Sequence, residues 1–139
     1  MKIQLKRLND AYWLEAANES GNKIHIDASS EVGGGGNGFR PMQLLLAGLG
    51  GCSTIDIISI LNKQKQPLAD IEVTVTGERQ IGVVPSVFTD AHVHFVLTGD
   101  LDEEKVRKAV SLSVEKYCSV ARTLEKTARV THSFEIVTP

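Results

Sequence analysis

Several features that would settle a function early are missing from this chain. Of its 139 residues only two are cysteine, Cys52 and Cys118, and they stand 66 positions apart. No C-x-x-C pair or Cys/His ligand spacing occurs, so a structural zinc site is not expected. Positive charge is not in excess. Fifteen Lys and Arg face seventeen Asp and Glu, for a net charge of −2, and so no basic footprint for nucleic acid or an anionic membrane is present. Met1 to Asp10 alternates charged with apolar residues and holds no continuous apolar run of the signal-peptide kind, which makes a cytoplasmic protein the expectation. Internal repeats, low-complexity tails and interdomain linkers are also lacking, and the length suits one domain over 1–139.

What is present is an ordinary globular composition, 42% hydrophobic and 23% charged, organised around one stretch. Pro41 to Lys65 reads PMQLLLAGLGGCSTIDIISILNKQK, with Asp56 the one charge before its basic end. A helix apolar on nearly every face belongs either in a membrane or at the centre of a core. Asp56, the hydroxyls and the strand patterns on both sides favour the core. Pro41 suits a first helical turn, where its missing donor costs nothing. Gly48, Gly50 and Gly51 each cost about 1 kcal/mol against alanine inside a helix, so a close backbone approach or a kink near Cys52 is expected.

Before this helix, Lys2–Leu8, Tyr12–Ala17 and Lys23–Ala28 alternate as half-buried strands joined by hairpin-length turns at Asn9-Asp10 and Ser20-Gly21-Asn22. Ser29 to Phe39 is glycine-rich but lacks the Lys-Ser/Thr that follows a phosphate-binding P-loop, so it reads as a flexible approach to the helix. Beyond Pro67, Ile71–Thr76 and Thr89–Thr98 alternate as strands, the second placing Ala91, Val93, Phe95 and Leu97 on one face and His92 and His94 on the other. Two histidines two apart could ligate a metal, but no third ligand is visible and a solvated strand face is the simpler reading. Asp100 to Glu103 opens a second helix, with Asp100 as cap and Val106, Ala109, Val110, Val114 and Tyr117 as its apolar stripe. Cys118 ends that stripe, Ser119–Lys126 adds helical turns, and Arg129–Val137 closes as a strand with Val130, Phe134 and Ile136 inward. Strands arranged in hairpins rather than βαβ alternation give an α+β class.

Two thiols on two core-facing helices could meet. A cysteine reacts as thiolate, a peroxide converts the thiolate to sulfenic acid, and a second thiol condenses with that to a disulfide. Cys52 as attacking and Cys118 as resolving thiol fits this chemistry, and two inert packed thiols fit the spacing as well. Asp56, one turn beyond Cys52 on the same side, needs a cation such as Arg122 or a backbone donor.

The run PMQLLLAGLGGCSTIDI, together with the later YCSVARTL, resembles the OsmC/Ohr family of osmotically inducible and organic hydroperoxide resistance proteins, over essentially the whole chain in element order. The resemblance implies antiparallel sheets wrapped around two central helices in an intertwined homodimer. It implies a metal-free thiol peroxidase for organic hydroperoxides, without a bound cofactor, re-reduced by dithiols such as lipoyl groups. Cys52 then matches the peroxidatic cysteine and Cys118 the resolving one. An arginine held over the thiolate is part of that pattern, and Arg40 is the arginine available before the helix. Met42 stands where the peroxidase members carry a glutamate, and Ser119-Val120 follow Cys118 where those members tend to read C-P-x-S. Both changes resemble the OsmC-like branch, and a non-peroxidase protein that binds a small ligand or senses redox state is the alternative on the same fold.

Overall fold

A computed structural model describes all residues 1–139, and the chain divides into two compact units, Met1–Leu45 and Leu46–Pro139. The first unit holds β1 (Ile3–Arg7), β2 (Leu14–Asn18) and β3 (Lys23–Ile26) in an antiparallel sheet of that order. β1 differs from the half-buried strand its alternation suggests. All five residues are exposed, Ile3 and Leu5 at 54% each, because β1 is an edge strand that this unit leaves uncovered. After β3 the chain enters the glycine-rich segment, which is not a free tether. Asp27, 2% exposed, accepts from the backbone N–H groups of Ala28, Gly35 and Asn37 and from the Asn37 amide. Gly34 passes so close to Ala28 that a Cβ would stand 1.7 Å from its carbonyl oxygen. Phe39 then bridges to Ile26 and delivers the chain to α1 (Pro41–Lys63).

The second unit contains most of α1, then β4 (Leu68–Arg79), β5 (Phe88–Gly99), α2 (Glu103–Leu112), a π-helical segment at Ser113–Tyr117, α3 (Ser119–Leu124) and β6 (Arg129–Val137). Its sheet has the order β4-β5-β6. The β4/β5 hairpin is antiparallel, and Ala91, Val93, Phe95 and Leu97 are buried on one face as the alternation predicts. They meet Leu49, Ile57 and Leu61 of α1 and Val106, Ala109 and Val110 of α2 in one core. Each large side chain buried there contributes roughly 1.5–3 kcal/mol.

Three expectations need correction. β6 lies parallel to β5, so this sheet is mixed rather than antiparallel, while the α+β class stands. A parallel neighbour requires a crossover of a dozen residues or more, and α2 through α3 provides it. The cap of α2 is Asp102, whose side chain accepts from the Lys105 N–H at 3.0 Å, rather than Asp100. Most consequential, α1 is not buried all round. Leu49, Gly50, Ser53, Ile57 and Leu61 form the buried stripe, while Leu45 and Ile55 are 42% and 70% exposed.

Candidate functional site

Cys52 sits at the start of the fourth turn of α1, half-buried and packed against the core, one residue before the buried stripe position Ser53. The glycine behind it has a packing reason. A Cβ on Gly50 would stand 2.9 Å from Cγ2 of Val75, so only glycine lets α1 lie this close to β4. Gly51 meets nothing within 4 Å, and Gly48 would touch Val120 at ordinary distance, so the expected close approach is confined to one of the three glycines.

Cys118 reaches the same region by a different device. α2 ends in the π-helical turn Ser113–Tyr117, closed by the Cys118 N–H donating to the Ser113 carbonyl at 2.8 Å. Cys118 itself is extended and caps α3, its sulfur accepting from the Ala121 N–H at 3.4 Å. It is 1% exposed. π-turns inside helices are rare and recur at functional sites. This one re-aims the chain at the thiol.

The two segments are tied by a residue that the sequence pattern does not single out. Ser113, fully buried, donates from its hydroxyl to the backbone carbonyl of Ser53 at 2.8 Å, while the Ser53 hydroxyl donates back along α1 to the Leu49 carbonyl at 2.7 Å. A serine within an apolar stripe was the available signal, since a hydroxyl buried there requires a partner.

Both cysteines are free thiols, and both pack in the same core cluster. Burial pushes the Cys118 thiol up to about 11, the Ala121 N–H draws it partly back, and the neighbouring Cys52 pushes it up again. At neutral pH Cys118 is therefore a protonated thiol beside a more accessible neighbour. The helix terminus favours the thiolate, but α3 has only six residues and desolvation outweighs it.

Other candidates separate from this pair. Arg40 lies in the first unit with its side chain in no ion pair, and its backbone N–H donates to the Gln43 side chain at 3.0 Å, which makes Gln43 the capping partner at the start of α1. Asp56 does not pair with Arg122. That arginine takes Glu125, one turn along α3, at 3.2 Å, and Oδ2 of Asp56 is buried without a donor. The local i,i+3 pair holds the guanidinium with little loss of freedom. His92 and His94 bond through Thr131 and Ser133 at 2.7–2.8 Å, and no group of three His, Cys, Asp or Glu converges as a metal site.

The profile of the OsmC-like protein family matches residues 34–133 of the chain, which includes both cysteines. Protein YhfA of Escherichia coli K12 is 46% identical over 119 residues, 85% of each chain. Among solved structures, a hypothetical protein from Aquifex aeolicus is 28% identical with a TM-score of 0.85, covering 99% of this chain and 96% of that one. An organic hydroperoxide resistance protein OsmC from Legionella pneumophila shares the fold at 21% identity and a TM-score of 0.73, with 97% of each chain covered.

Proposed function

The chain belongs to the OsmC-like family, and we propose that it is a cysteine-based thiol peroxidase that reduces organic hydroperoxides. The observation that carries this reading is the placement of Cys52 and Cys118 in one core cluster, the first half-exposed and the second buried and held as thiol by its surroundings, Cys52 among them. In this reading the Cys52 thiolate attacks the terminal oxygen of the O–O bond. That bond breaks, the alcohol leaves with a proton, and Cys52 becomes a sulfenic acid. Cys118 gives up its proton as its sulfur attacks Cys52, water leaves, and a Cys52–Cys118 disulfide remains. A raised Cys118 pKa suits the first step, since a protonated resolving thiol does not compete for the peroxide. An external dithiol such as a lipoyl group returns the disulfide to two thiols. The working form in this proposal is a cytoplasmic homodimer, and the dimer is supported by Ile55 of α1, which the single chain leaves exposed.

One equivalent of an organic hydroperoxide added to reduced protein tests this directly. Two thiols lost, with mass spectrometry finding the Cys52–Cys118 disulfide, is the expected result. Cys52→Ser should abolish turnover and Cys118→Ser should leave Cys52 at sulfenic acid or beyond. Full turnover in Cys52→Ser refutes the assignment. A second reading, a small-ligand-binding or redox-sensing protein with slow thiols, is favoured by Met42, which brings no carboxylate to the first turn of α1. Thiols unchanged after hydroperoxide would select it.

A further inference from the structure

A cleft of about 470 Å³ lies between α1 and α2, and the peroxide chemistry does not use it. Its α1 wall carries Asp56, Ile60 and Lys63, and Lys108, Leu112 and Tyr117 stand across from them. Asp56 and Ile60 follow Cys52 at successive i+4 steps, so the cleft begins one turn beyond that thiol on the same side of the helix. Tyr117 is the residue before Cys118. The groove thus abuts both thiol-bearing segments.

Its polar groups are unspent. Neither Lys63 nor Lys108 makes an ion pair, and neither does Asp56. Oδ2 of Asp56 and Oε1 of Gln64, on the same wall, are shielded from water without a donor. Two cations against one carboxylate leave the cleft net positive and attract an anion. The carboxylate at the Cys52 end of the wall rejects a plain hydrocarbon stem, for which its desolvation would go uncompensated, and rewards an N–H donor. Ile60 and Leu112 supply apolar flanks between these points.

We propose that this cleft binds a low-molecular-weight thiol of peptide type, with its amide N–H groups at Asp56, its carboxylate at Lys63 and Lys108, and its sulfur directed to Cys52. The inference rests on the peroxidase reading for its purpose. It adds to the dithiol route a second reductant, an anionic monothiol. In chemical terms its thiolate attacks the accessible Cys52 sulfur, the Cys52–Cys118 bond breaks, and Cys118 leaves and takes a proton. A second thiol then attacks the mixed disulfide, freeing Cys52 and releasing the oxidised thiol as its disulfide, a two-electron balance. Dimensions agree. Eleven residues from Cys52 to Lys63 rise about 16 Å along α1. A tripeptide spans about 10 Å, and the lysine arms reach across the remainder.

Two measurements decide it, with glutathione and its S-methyl derivative as probes. S-Methylglutathione should bind the reduced protein in a salt-sensitive manner by calorimetry, at least tenfold more weakly in Lys63→Glu/Lys108→Glu, and with wild-type affinity in Lys105→Glu, a charge reversal outside the cleft. Circular dichroism establishes that each variant is folded. Disulfide-form protein prepared with diamide should then be reduced faster by glutathione than by mercaptoethanol at equal thiolate concentration, and the ratio should fall towards one in the double variant. No binding, or a rate ratio near one in the wild type, overturns the proposal. Because diamide forms the disulfide without peroxide, failure of the hydroperoxide assay would sink the peroxidase reading separately.

Discussion

Replacing Gly50 by alanine sets helix propensity against packing at the point where α1 settles on β4. In an open helix position the change would stabilise by about 1 kcal/mol. Here the new methyl would stand 2.9 Å from Cγ2 of Val75 and 3.7 Å from Cγ1 of Val73, so Val75 or the helix must move. Overpacking of this kind costs about 1–3 kcal/mol, which leaves Gly50→Ala destabilised by roughly 0–2 kcal/mol, or a fall of up to about 8 °C in Tm for a domain of this size. The sharper test is the cycle with Val75→Ala. Removing the Val75 methyls costs on the order of 1–2 kcal/mol alone, but in that background the alanine at 50 has room and should show its helix preference. The two changes should therefore couple favourably by about 1–3 kcal/mol in urea unfolding of the four proteins. Additivity within about 0.5 kcal/mol would mean that Gly50 is not a contact glycine, and the account of how α1 presents Cys52 would fail with it.

Ser113→Ala removes the buried hydroxyl that joins the two thiol segments. Since the Ser53 carbonyl still faces its helical donor, the loss should be about 1 kcal/mol by urea unfolding, with slower Cys52–Cys118 disulfide formation after peroxide. Backbone N–H bonding led by Asn37, opposed by burial, holds the Asp27 carboxyl below its ordinary value. A depressed carboxylate stabilises above its unfolded pKa and loses that stabilisation as pH falls through the lower folded value. Thermal stability should therefore weaken below about pH 4, and Asp27→Asn should flatten that dependence, while a profile identical to the wild type would remove Asp27 as the anchor of the glycine-rich segment. Ile55→Lys places a charge at the exposed apolar position of α1 and should turn a dimer into a monomer by analytical ultracentrifugation, and a dimer of unchanged affinity would show that the partner sits elsewhere.

Periodicity made some of this architecture legible from the sequence. Alternation located the inward residues of β5, and i,i+3/i+4 spacing located Val106, Ala109, Val110 and Val114 on α2, because burial on one face writes itself into the sequence. It did not locate the break that matters most. Nothing in SVEKYC marks a π-turn, since that geometry follows from how α2 meets α1 and the sheet rather than from any residue's preference. The parallel pairing of β6 escaped for a related reason. A strand's own pattern says which face is buried and nothing of direction, which the length of the crossover decides.

The uniform apolarity of α1 is where the sequence overstates what a single chain accomplishes. Leu49, Ile57 and Leu61 find the core, yet Ile55 lies between buried Ser53 and Ile57 and stays 70% exposed. Composition records that a surface is to be covered and not which molecule covers it. The thiols follow the same logic at closer range. Their types and separation were readable, whereas their meeting in one core depends on a glycine that admits Val75, a serine that clamps two helices and a π-turn that ends at Cys118. Each of those is an ordinary packing residue, and together they turn two dispersed cysteines into one reactive pair.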